Sequence, residues 1–299
     1  ISRRQSNRRS KENKMKKKLA LLILATLVFF QMPTLRSWAL SGGEAQLQKI
    51  GALEIYTLLD SVFPAPEGWL LDTREPEAQR KVDTENAVGY VNVFLLKIDG
   101  QNVLFDSGLG EGEGGKLLQA LSSLNLSADD IDAVVITHYH GDHVGGLLNS
   151  RSLPSFPKAQ IHISEAEVEN YKSKPELAFL EVYGDRVKVF APATEILPGV
   201  RAISAPGHTI GNTMFRIERG EDRLLLMSDL VHFTHYQFAD PDLTVIFDED
   251  PDLAIATRKS VFDQASEEKI PMAGPHIDYP GIVTIQKERA GYKFDFLAR

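Results

Sequence analysis

The sequence predicts a single α/β domain with mixed sheets over residues 40–299. Three observations support this fold class. The chain has 299 residues and is 43% apolar, which is enough for a core and too apolar for a disordered chain. Short β-branched runs recur along it, with helix-start signals between them. It contains no solenoid-type repeat, low-complexity tract or long linker that would divide it.

The predicted strands are short apolar runs bounded by turn residues. Asp99-Gly100 favours a hairpin between the second and third runs, and Glu218-Arg219-Gly220-Glu221 favours one between a later pair. The runs are Leu53–Leu59, Tyr90–Ile98, Asn102–Phe105, Ala133–Thr137, Gln160–Ile163, Val187–Phe190, Val200–Ser204, Thr213–Glu218, Arg223–Met227, Ile282–Gln286 and Tyr292–Phe296.

Three helices are predicted between these strands. Lys116–Leu124 follows the glycine-rich segment Gly110–Gly115. Ser164 and Glu167 have the spacing of a capping box that opens a helix ending near Lys172. Asp250-Pro251 supplies an N-cap and a first-turn proline for a helix that runs to about Glu268.

The first 39 residues are predicted to be a targeting segment outside the fold. Lys16–Lys18 precede an apolar run, Leu19–Phe30, and the small residues of Ser37-Trp38-Ala39 suit cleavage after Ala39. The run is shorter than the roughly 20 residues that span a membrane, so residues 15–39 are expected to be a secretory signal peptide, with a retained anchor as the alternative. Residues 1–14 are expected to be an upstream extension, and the protein is expected to be periplasmic or secreted.

Charge and cysteine content exclude several function classes. Ten of the 33 Lys and Arg residues, but one of the 41 acidic residues, lie in residues 1–39, so residues 40–299 carry a net charge of −17. A body this acidic repels nucleic acid. Because the chain has no cysteine, disulfides, thiolate–zinc sites, iron–sulfur clusters and a cysteine nucleophile are excluded.

A histidine-rich segment follows the predicted strand Ala133–Thr137. His138 and His140 are two residues apart in extended chain, so their imidazoles project to the same side. Gly141 lets the backbone turn, so that Asp142 and His143 can point toward a neighbouring position. One peptide could therefore serve two adjacent metal ions. Imidazole and carboxylate suit zinc, with manganese, iron and cobalt as alternatives.

Three later residues also follow strands or apolar segments, as the histidine-rich segment does. His208, Asp229 and His276 each follow a predicted strand or a short apolar segment. Each residue alone is a weak signal, because a strand-end His or Asp is usually an ordinary loop residue. Together they predict that the strand ends meet at one site, since functional loops of α/β proteins gather there.

With these motifs the chain resembles the metallo-β-lactamase-fold hydrolases. The resemblance rests on Leu104–Gly108, His138-x-His140-x-Asp142-His143, His208, Asp229 and His276, in that order. It implies a four-layer αββα sandwich with the site at one edge of two packed sheets. It also implies the ligand sets. His138, His140 and His208 would hold one metal, Asp142, His143 and His276 would hold a second, and Asp229 would bridge them.

The same resemblance implies a hydrolytic chemistry. Two bound ions would share a water and lower its pKa toward 7, which would make hydroxide the nucleophile. Asp142 and His232 are predicted to be catalytic, and Asp106 is predicted to orient the histidine-rich loop. An Asp in an ordinary strand-ending turn is the alternative for Asp106, and a surface histidine is the alternative for His232.

The C-terminal third resembles methyl parathion hydrolase and its relatives, a branch with phosphotriesterases and lactonases. The matching segments are Ser228–His232, Gln237–Pro241, Phe247-Asp248, Arg258-Lys259 and His276–Ile282. The resemblance implies hydrolysis of small neutral esters, lactones or phosphotriesters foremost. Hydrolysis of β-lactams and metal binding without turnover are the alternatives. The lack of cysteine excludes the β-lactamases with a cysteine ligand, and Asp229 argues against those without one.

One departure from the acyl-homoserine lactonases concerns the third residue after the bridging aspartate. Those enzymes often have a tyrosine there, whereas this chain has His232. An imidazole could polarise a carbonyl or protonate a leaving alkoxide.

Four aromatic residues are predicted to line an apolar substrate pocket, with ordinary core packing as the alternative: Phe63, Trp69, Phe233 and Tyr236. The expected partner is a small-molecule substrate, with no nucleic acid and no stable membrane insertion after signal cleavage. A homodimer is left open.

Overall fold

Strands dominate residues 42–297, the part of the chain that the computed structural model describes. The predicted extension and signal peptide lie outside the described residues. In chain order the strands are β1 (Ala45–Ile50), β2 (Leu53–Pro64), β3 (Leu70–Leu71), β4 (Val88–Ile98), β5 (Gln101–Phe105), β6 (Ala133–Val135), β7 (Gln160–Ser164), β8 (Val187–Phe190), β9 (Glu195–Leu197), β10 (Val200–Ser204), β11 (Thr213–Arg219), β12 (Asp222–Leu226), β13 (Thr244–Val245), β14 (Met272–Ala273), β15 (Ile282–Lys287) and β16 (Tyr292–Phe296). The α-helices are α1 (Leu117–Ser123), α2 (Gly141–Val144), α3 (Glu165–Tyr171), α4 (Phe179–Tyr183), α5 (Thr234–Gln237) and α6 (Pro251–Glu268).

The strands form two seven-stranded mixed sheets and one ribbon. The N-terminal sheet has the order β1-β2-β4-β5-β6-β7-β8 and changes from antiparallel to parallel pairing at β5. The C-terminal sheet has the order β16-β15-β14-β12-β11-β10-β9 and is antiparallel except where β12 pairs with β14. The ribbon pairs β3 with β13. The predicted mixed sheets are confirmed.

Alternation of side chains along the strands produces the layers. In β5, Val103 and Phe105 face the C-terminal sheet, whereas Leu104 packs on the other side with Leu117 and Leu121 of α1. All five side chains are at most 4% exposed. Each face of this sheet therefore carries its own apolar cluster.

The C-terminal sheet repeats the pattern. Leu224 and Leu226 of β12 point between the sheets, and Leu225 points outward to Val261 and Phe262 of α6. Three apolar clusters thus separate four layers in the order helix, sheet, sheet, helix. The four-layer αββα sandwich implied by the resemblance is confirmed.

The three predicted helices form as α1, α3 and α6, and both predicted hairpin turns connect paired strands. Asp250 caps α6 by accepting a hydrogen bond from the Leu253 N–H at 3.0 Å. The capping box at α3 is only half formed. The Ser164 hydroxyl accepts from the Glu167 N–H at 3.2 Å, but the Glu167 carboxylate turns to two loops described below. Five strands, β1, β3, β9, β13 and β14, were not among the predicted runs.

No helix within residues 42–297 has the length and hydropathy required to cross a membrane.

We expect Phe215→Ala to lower the free energy of unfolding by about 3–5 kcal/mol, because a buried aromatic ring is lost between two sheets. The Phe215 ring is fully buried and lies 5.4 Å from the Phe105 ring and 6.0 Å from the Phe190 ring. Urea denaturation measures the change. Val189→Ala is the control, since Val189 is 52% exposed and should change stability by less than about 0.5 kcal/mol. Equal effects of the two substitutions would contradict the assignment of Phe215 to the inter-sheet core.

Candidate metal centre

The site lies where strands of both sheets end. The segment after β6 carries His138, and the loop between β10 and β11 carries His208. Asp229 follows β12, and His276 follows β14. Because these ends meet at one edge of the sandwich, residues up to 138 positions apart in the chain become neighbours. The structure brings together all seven residues that the resemblance implies as ligands.

Three histidines form the first group of ligand atoms. His138 Nε2 lies 3.0 Å from His140 Nδ1, which lies 2.9 Å from His208 Nε2. On the outer side of two of these rings, His208 Nδ1 lies 2.9 Å from Asp248 Oδ1, and His138 Nδ1 lies 3.1 Å from the Thr137 hydroxyl. The proton on His208 is therefore fixed on Nδ1, which leaves the Nε2 lone pair facing inward, as a divalent cation requires.

Asp142, His143 and His276 form the second group. His276 Nδ1 donates to the Tyr90 carbonyl oxygen at 2.6 Å, so the neutral ring would offer its Nε2 lone pair to a cation at the site. His143 Nδ1 lies 2.9 Å from Asp106 Oδ2, while its Nε2 is buried and has no hydrogen-bond partner among the described residues. The Asp142 oxygens lie 3.6 Å from His143 Nε2 and 3.4 Å from His276 Nε2. A buried nitrogen left without a partner suits a metal ligand.

Asp229 lies between the two groups. Its Oδ2 is 3.3 Å from both His208 Nε2 and His143 Nε2, and 3.1 Å from His276 Nε2. Its Oδ1 is buried without a hydrogen-bond partner in the described part of the chain. This carboxylate therefore has the position of a bridging ligand. The ligand atoms of each group lie within 4.8 Å of one another, and the His and Asp donors fit two metal sites.

The electrostatics of the two groups differ. Burial lowers the pKa of His140 to about 3, and together with the positive potential of His143 it holds the pKa of His138 well below its usual range. Burial also opposes the charge of His143, but the carboxylates of Asp229 and Asp142 outweigh it and raise the pKa of His143 well above its usual range. His138 and His140 of the first group are thus neutral imidazoles, whereas the second group pairs its imidazoles with carboxylates.

Two residues with left-handed backbone conformations turn the chain toward the site. Asp106 after β5 has φ of 66°, and Ser228 before Asp229 has φ of 54°. Such a conformation costs a non-glycine residue about 1 kcal/mol, so it persists only where surrounding contacts hold it. Asp106 Oδ1 accepts the Thr137 N–H at 2.8 Å, while Oδ2 contacts His143. Asp106 therefore contacts both the backbone and the imidazole of the histidine-rich segment.

Gly146 allows α2 to pack behind the site. A Cβ at Gly146 would lie 2.0 Å from the Ser107 carbonyl oxygen, so any side chain would push α2 away from the end of β5. Ser107 N–H donates to the His143 carbonyl at 2.7 Å across the same contact. A glycine at this position therefore lets the turn after α2 pack against the end of β5.

His232 also belongs to the centre. Its Nε2 lies 3.1 Å from Asp229 Oδ2, and its ring stacks on the His276 ring with centroids 4.9 Å apart. Burial, opposed by Asp229, lowers the pKa of His232 to about 4, so the ring is neutral at neutral pH. One ligand atom from each of His208, Asp229 and His232 lies within 4.8 Å of the other two. The His232 side chain is 12% exposed, and its catalytic role stays a prediction.

Two contacts of the centre were missed by the sequence reasoning. Asp248, which holds His208, is buried and is itself held by the Thr244 hydroxyl and by the Val245 N–H at 3.2 Å. Glu167 contacts the loops of His138 and His208 from α3. Asp248 is 40 residues from His208, and Glu167 has the sequence pattern of a helix cap, so no local signal identifies either partner.

The four predicted pocket residues lie near the β3–β13 ribbon. The Trp69 ring lies 6.0 Å from the Phe63 ring and 4.8 Å from the Phe247 ring. Phe233 is 5% exposed and packs with Leu70 and Val245, which favours core packing for this ring. Trp69 and Tyr236 are only partly buried against the same cluster. A role of these residues in substrate binding stays a prediction.

Comparison with known proteins places this geometry in a family. The profile of the metallo-beta-lactamase superfamily matches residues 86–290. The chain belongs to this superfamily. Residues 86–290 carry every residue of both ligand groups, so the metallo-β-lactamase domain includes the whole candidate metal centre.

The curated relatives of this metallo-β-lactamase domain match over limited lengths. An atrochrysone carboxyl ACP thioesterase of Passalora fulva is 28% identical over 141 residues, which are 47% of this chain and 38% of that protein. An N-acyl homoserine lactonase of Bacillus thuringiensis is 24% identical over 160 residues, which are 52% of this chain and 60% of that protein. The chain thus spans less than two thirds of the length of these relatives.

Solved structures match over most of the chain. AidC, a dizinc quorum-quenching lactonase in complex with a product, has a TM-score of 0.73 at 23% identity and covers 86% of this chain and 98% of its own. The hydrolase AbOPH has a TM-score of 0.76 at 22% identity and covers 88% of this chain and 99% of its own. At this identity the likeness establishes the fold. Lactonases and other hydrolases are thus among the neighbours of this fold.

We expect His276→Ala or His143→Ala to lower the zinc content from about two ions to about one per chain, since each substitution removes a ligand of the second group. Elemental analysis after dialysis measures the content. The matched control is His235→Ala, because the His235 side chain is 67% exposed and lies outside both ligand groups. A content unchanged in the His276 and His143 variants would contradict the second site.

Proposed function

We propose that the protein is an exported hydrolase that uses two divalent metal ions, zinc foremost, on small neutral esters, with lactones and phosphotriesters favoured. The observation that carries this proposal is the placement of Asp229 Oδ2 within 3.3 Å of imidazole nitrogens from both ligand groups. When bound, the ions would supply a water of lowered pKa and Lewis acidity toward the substrate oxygen.

Two residues of the chain would carry out the proton transfer and the stabilisation of the substrate oxygen. The Asp229 side chain is 2% exposed, whereas the Asp142 side chain is 29% exposed. Asp142 is therefore the carboxylate of the two that solvent reaches. Asp142 is therefore the better placed of the two to accept a proton from the attacking water. His232, neutral and 12% exposed, would donate its N–H to the carbonyl oxygen or to the leaving alkoxide.

Three features support the substrate class. The acidic body, with a net charge of −17 over residues 40–299, disfavours polyanionic substrates. The partly buried Trp69 and Tyr236 offer apolar surface beside Phe233, the residue that follows His232 in the chain. Lactonases are among both the sequence relatives and the structural neighbours. Export is supported by the basic segment, apolar run and small residues of residues 15–39.

A substrate panel at fixed zinc or manganese tests the proposal. The panel contains an acyl-homoserine lactone, a p-nitrophenyl phosphotriester, a thiolester and a cephalosporin. We expect turnover of the lactone or the phosphotriester, with the His276→Ala variant as the inactive control. Preferred turnover of the cephalosporin would assign a β-lactam hydrolase. Two bound metals without turnover of any substrate would assign a metal-binding protein.

We expect His232→Phe to lower kcat by about 10²–10⁴-fold, the usual contribution of a proton donor, while the metal content stays at two. Steady-state kinetics and elemental analysis on the same preparation measure both quantities. His235→Phe is the matched control, since it replaces an exposed histidine in the next helix. Full activity would remove His232 from the reaction, and a lower metal content would make it a ligand instead.

A further inference from the structure

Glu167 is a fully buried carboxylate that belongs to neither ligand group. Its Oε2 accepts the Tyr139 N–H at 3.0 Å. Its Oε1 accepts the Gly211 N–H at 3.1 Å and the Thr209 hydroxyl. One side chain on α3 thus joins a segment of the N-terminal sheet to a loop of the C-terminal sheet.

These two segments carry the whole first ligand group. Tyr139 stands between His138 and His140, and Thr209 directly follows His208. The hydrogen bonds of Glu167 therefore hold Tyr139, between the first two histidines, and Thr209 and Gly211, which follow His208. In the second group, the imidazoles are held by other partners, namely Asp106 and the Tyr90 carbonyl.

Gly211 packs closely against the start of α3, where Glu167 lies. A Cβ at Gly211 would lie 2.4 Å from the Glu167 backbone nitrogen and 2.8 Å from its Cγ. The Ser164 hydroxyl also donates to the Gly211 carbonyl at 3.0 Å. Both polar groups of the Gly211 backbone are thus bound by the first turn of α3, and only glycine permits this approach.

Burial of Glu167 has an energetic cost. Removal from water raises the pKa of its carboxyl to about 7, against the effect of the three hydrogen bonds. A capping glutamate at this helix position would avoid that cost by staying at the surface. The Glu167 side chain instead lies between the two loops, and its carboxylate oxygens accept hydrogen bonds from both.

We propose that Glu167 is a positioning residue that sets the spacing between the His138–His140 pair and His208, and thereby the affinity of the first metal site. The inference rests on the two-metal site of the proposed function. Glutamine has the same size, but its amide group can only donate at one end. Either the Tyr139 N–H or the Gly211 N–H would then face another donor, and one loop would shift.

The test measures zinc affinity by competition with a chelator. In a His276→Ala background, where the first site remains, we expect Glu167→Gln to weaken zinc binding about 10–100-fold, as is typical for partners that orient ligands. In a His140→Ala background, where the second site remains, the same substitution should change the affinity less than about two-fold. The matched control is Glu169→Gln, an exposed residue on the same helix.

Thr209 provides a second pair of variants if Glu167→Gln does not fold. Thr209→Val removes one donor to the carboxylate and should weaken the first site selectively, whereas Thr209→Ser keeps the hydroxyl and should retain the affinity. Equal weakening of both sites, or no difference from the Glu169→Gln control, would overturn the inference. Failure of the unsubstituted protein to bind two zinc ions would instead refute the proposed function and the inference together.

Discussion

The crowding of imidazole nitrogens around one buried carboxylate is the constraint on which the site depends. The Nε2 atoms of five histidines lie within 3.7 Å of Asp229 Oδ2: His138, His143, His208, His232 and His276. Polar atoms this deeply buried are costly unless they are paired. The imidazoles hold the pKa of Asp229 well below its usual range against burial. Cations at the two ligand groups would satisfy both the carboxylate and the inward lone pairs.

Hydrogen-bond partners on the outer side of the imidazole rings hold the crowded rings in fixed orientations. Asp248 fixes His208, Asp106 fixes His143, and the Tyr90 carbonyl fixes His276. Each of these partners acts on the outer ring nitrogen, so the inner nitrogen remains available. Tyr90 lies in β4, Asp106 directly follows β5, and Asp248 follows the ribbon strand β13. The sandwich therefore specifies ring orientation and tautomer, and not only the distances between ligands.

The sequence predicts those parts of this arrangement that are local in the chain. The alternation of Val103, Leu104 and Phe105 identifies a strand between two apolar layers, and the Asp250-Pro251 cap locates α6. The spacing of His138, His140, Asp142 and His143 points to a metal-binding loop before any fold is known. These signals are readable because periodicity and capping act within one segment.

The parts that the sequence does not predict are those that depend on contacts between distant segments. β1, Ala45–Ile50, carries two glutamines and a lysine among its six residues and so lacks a continuous apolar run, yet it pairs along its whole length with β2. β13 and β14 have two residues each, which is too short for a periodic signal. The roles of Glu167 and Asp248 arise only when segments that are distant in the chain meet. Sequence patterns depend on residues that are close in the chain, whereas these two carboxylates bind residues that are distant in the chain.

A buried arginine of α6 also contacts a residue that holds the first ligand group. Arg258 of α6 is 1% exposed and donates to the backbone carbonyls of Leu230, Pro241 and Leu243. Its guanidinium also lies 3.8 Å from Asp248, the residue that holds His208. Because the Leu243 segment continues into β13, the same arginine anchors both the ribbon that packs with Trp69 and the carboxylate that orients a ligand. A substitution at Arg258 would therefore act on the aromatic cluster and on the metal centre together, although it contacts none of the seven predicted ligands directly.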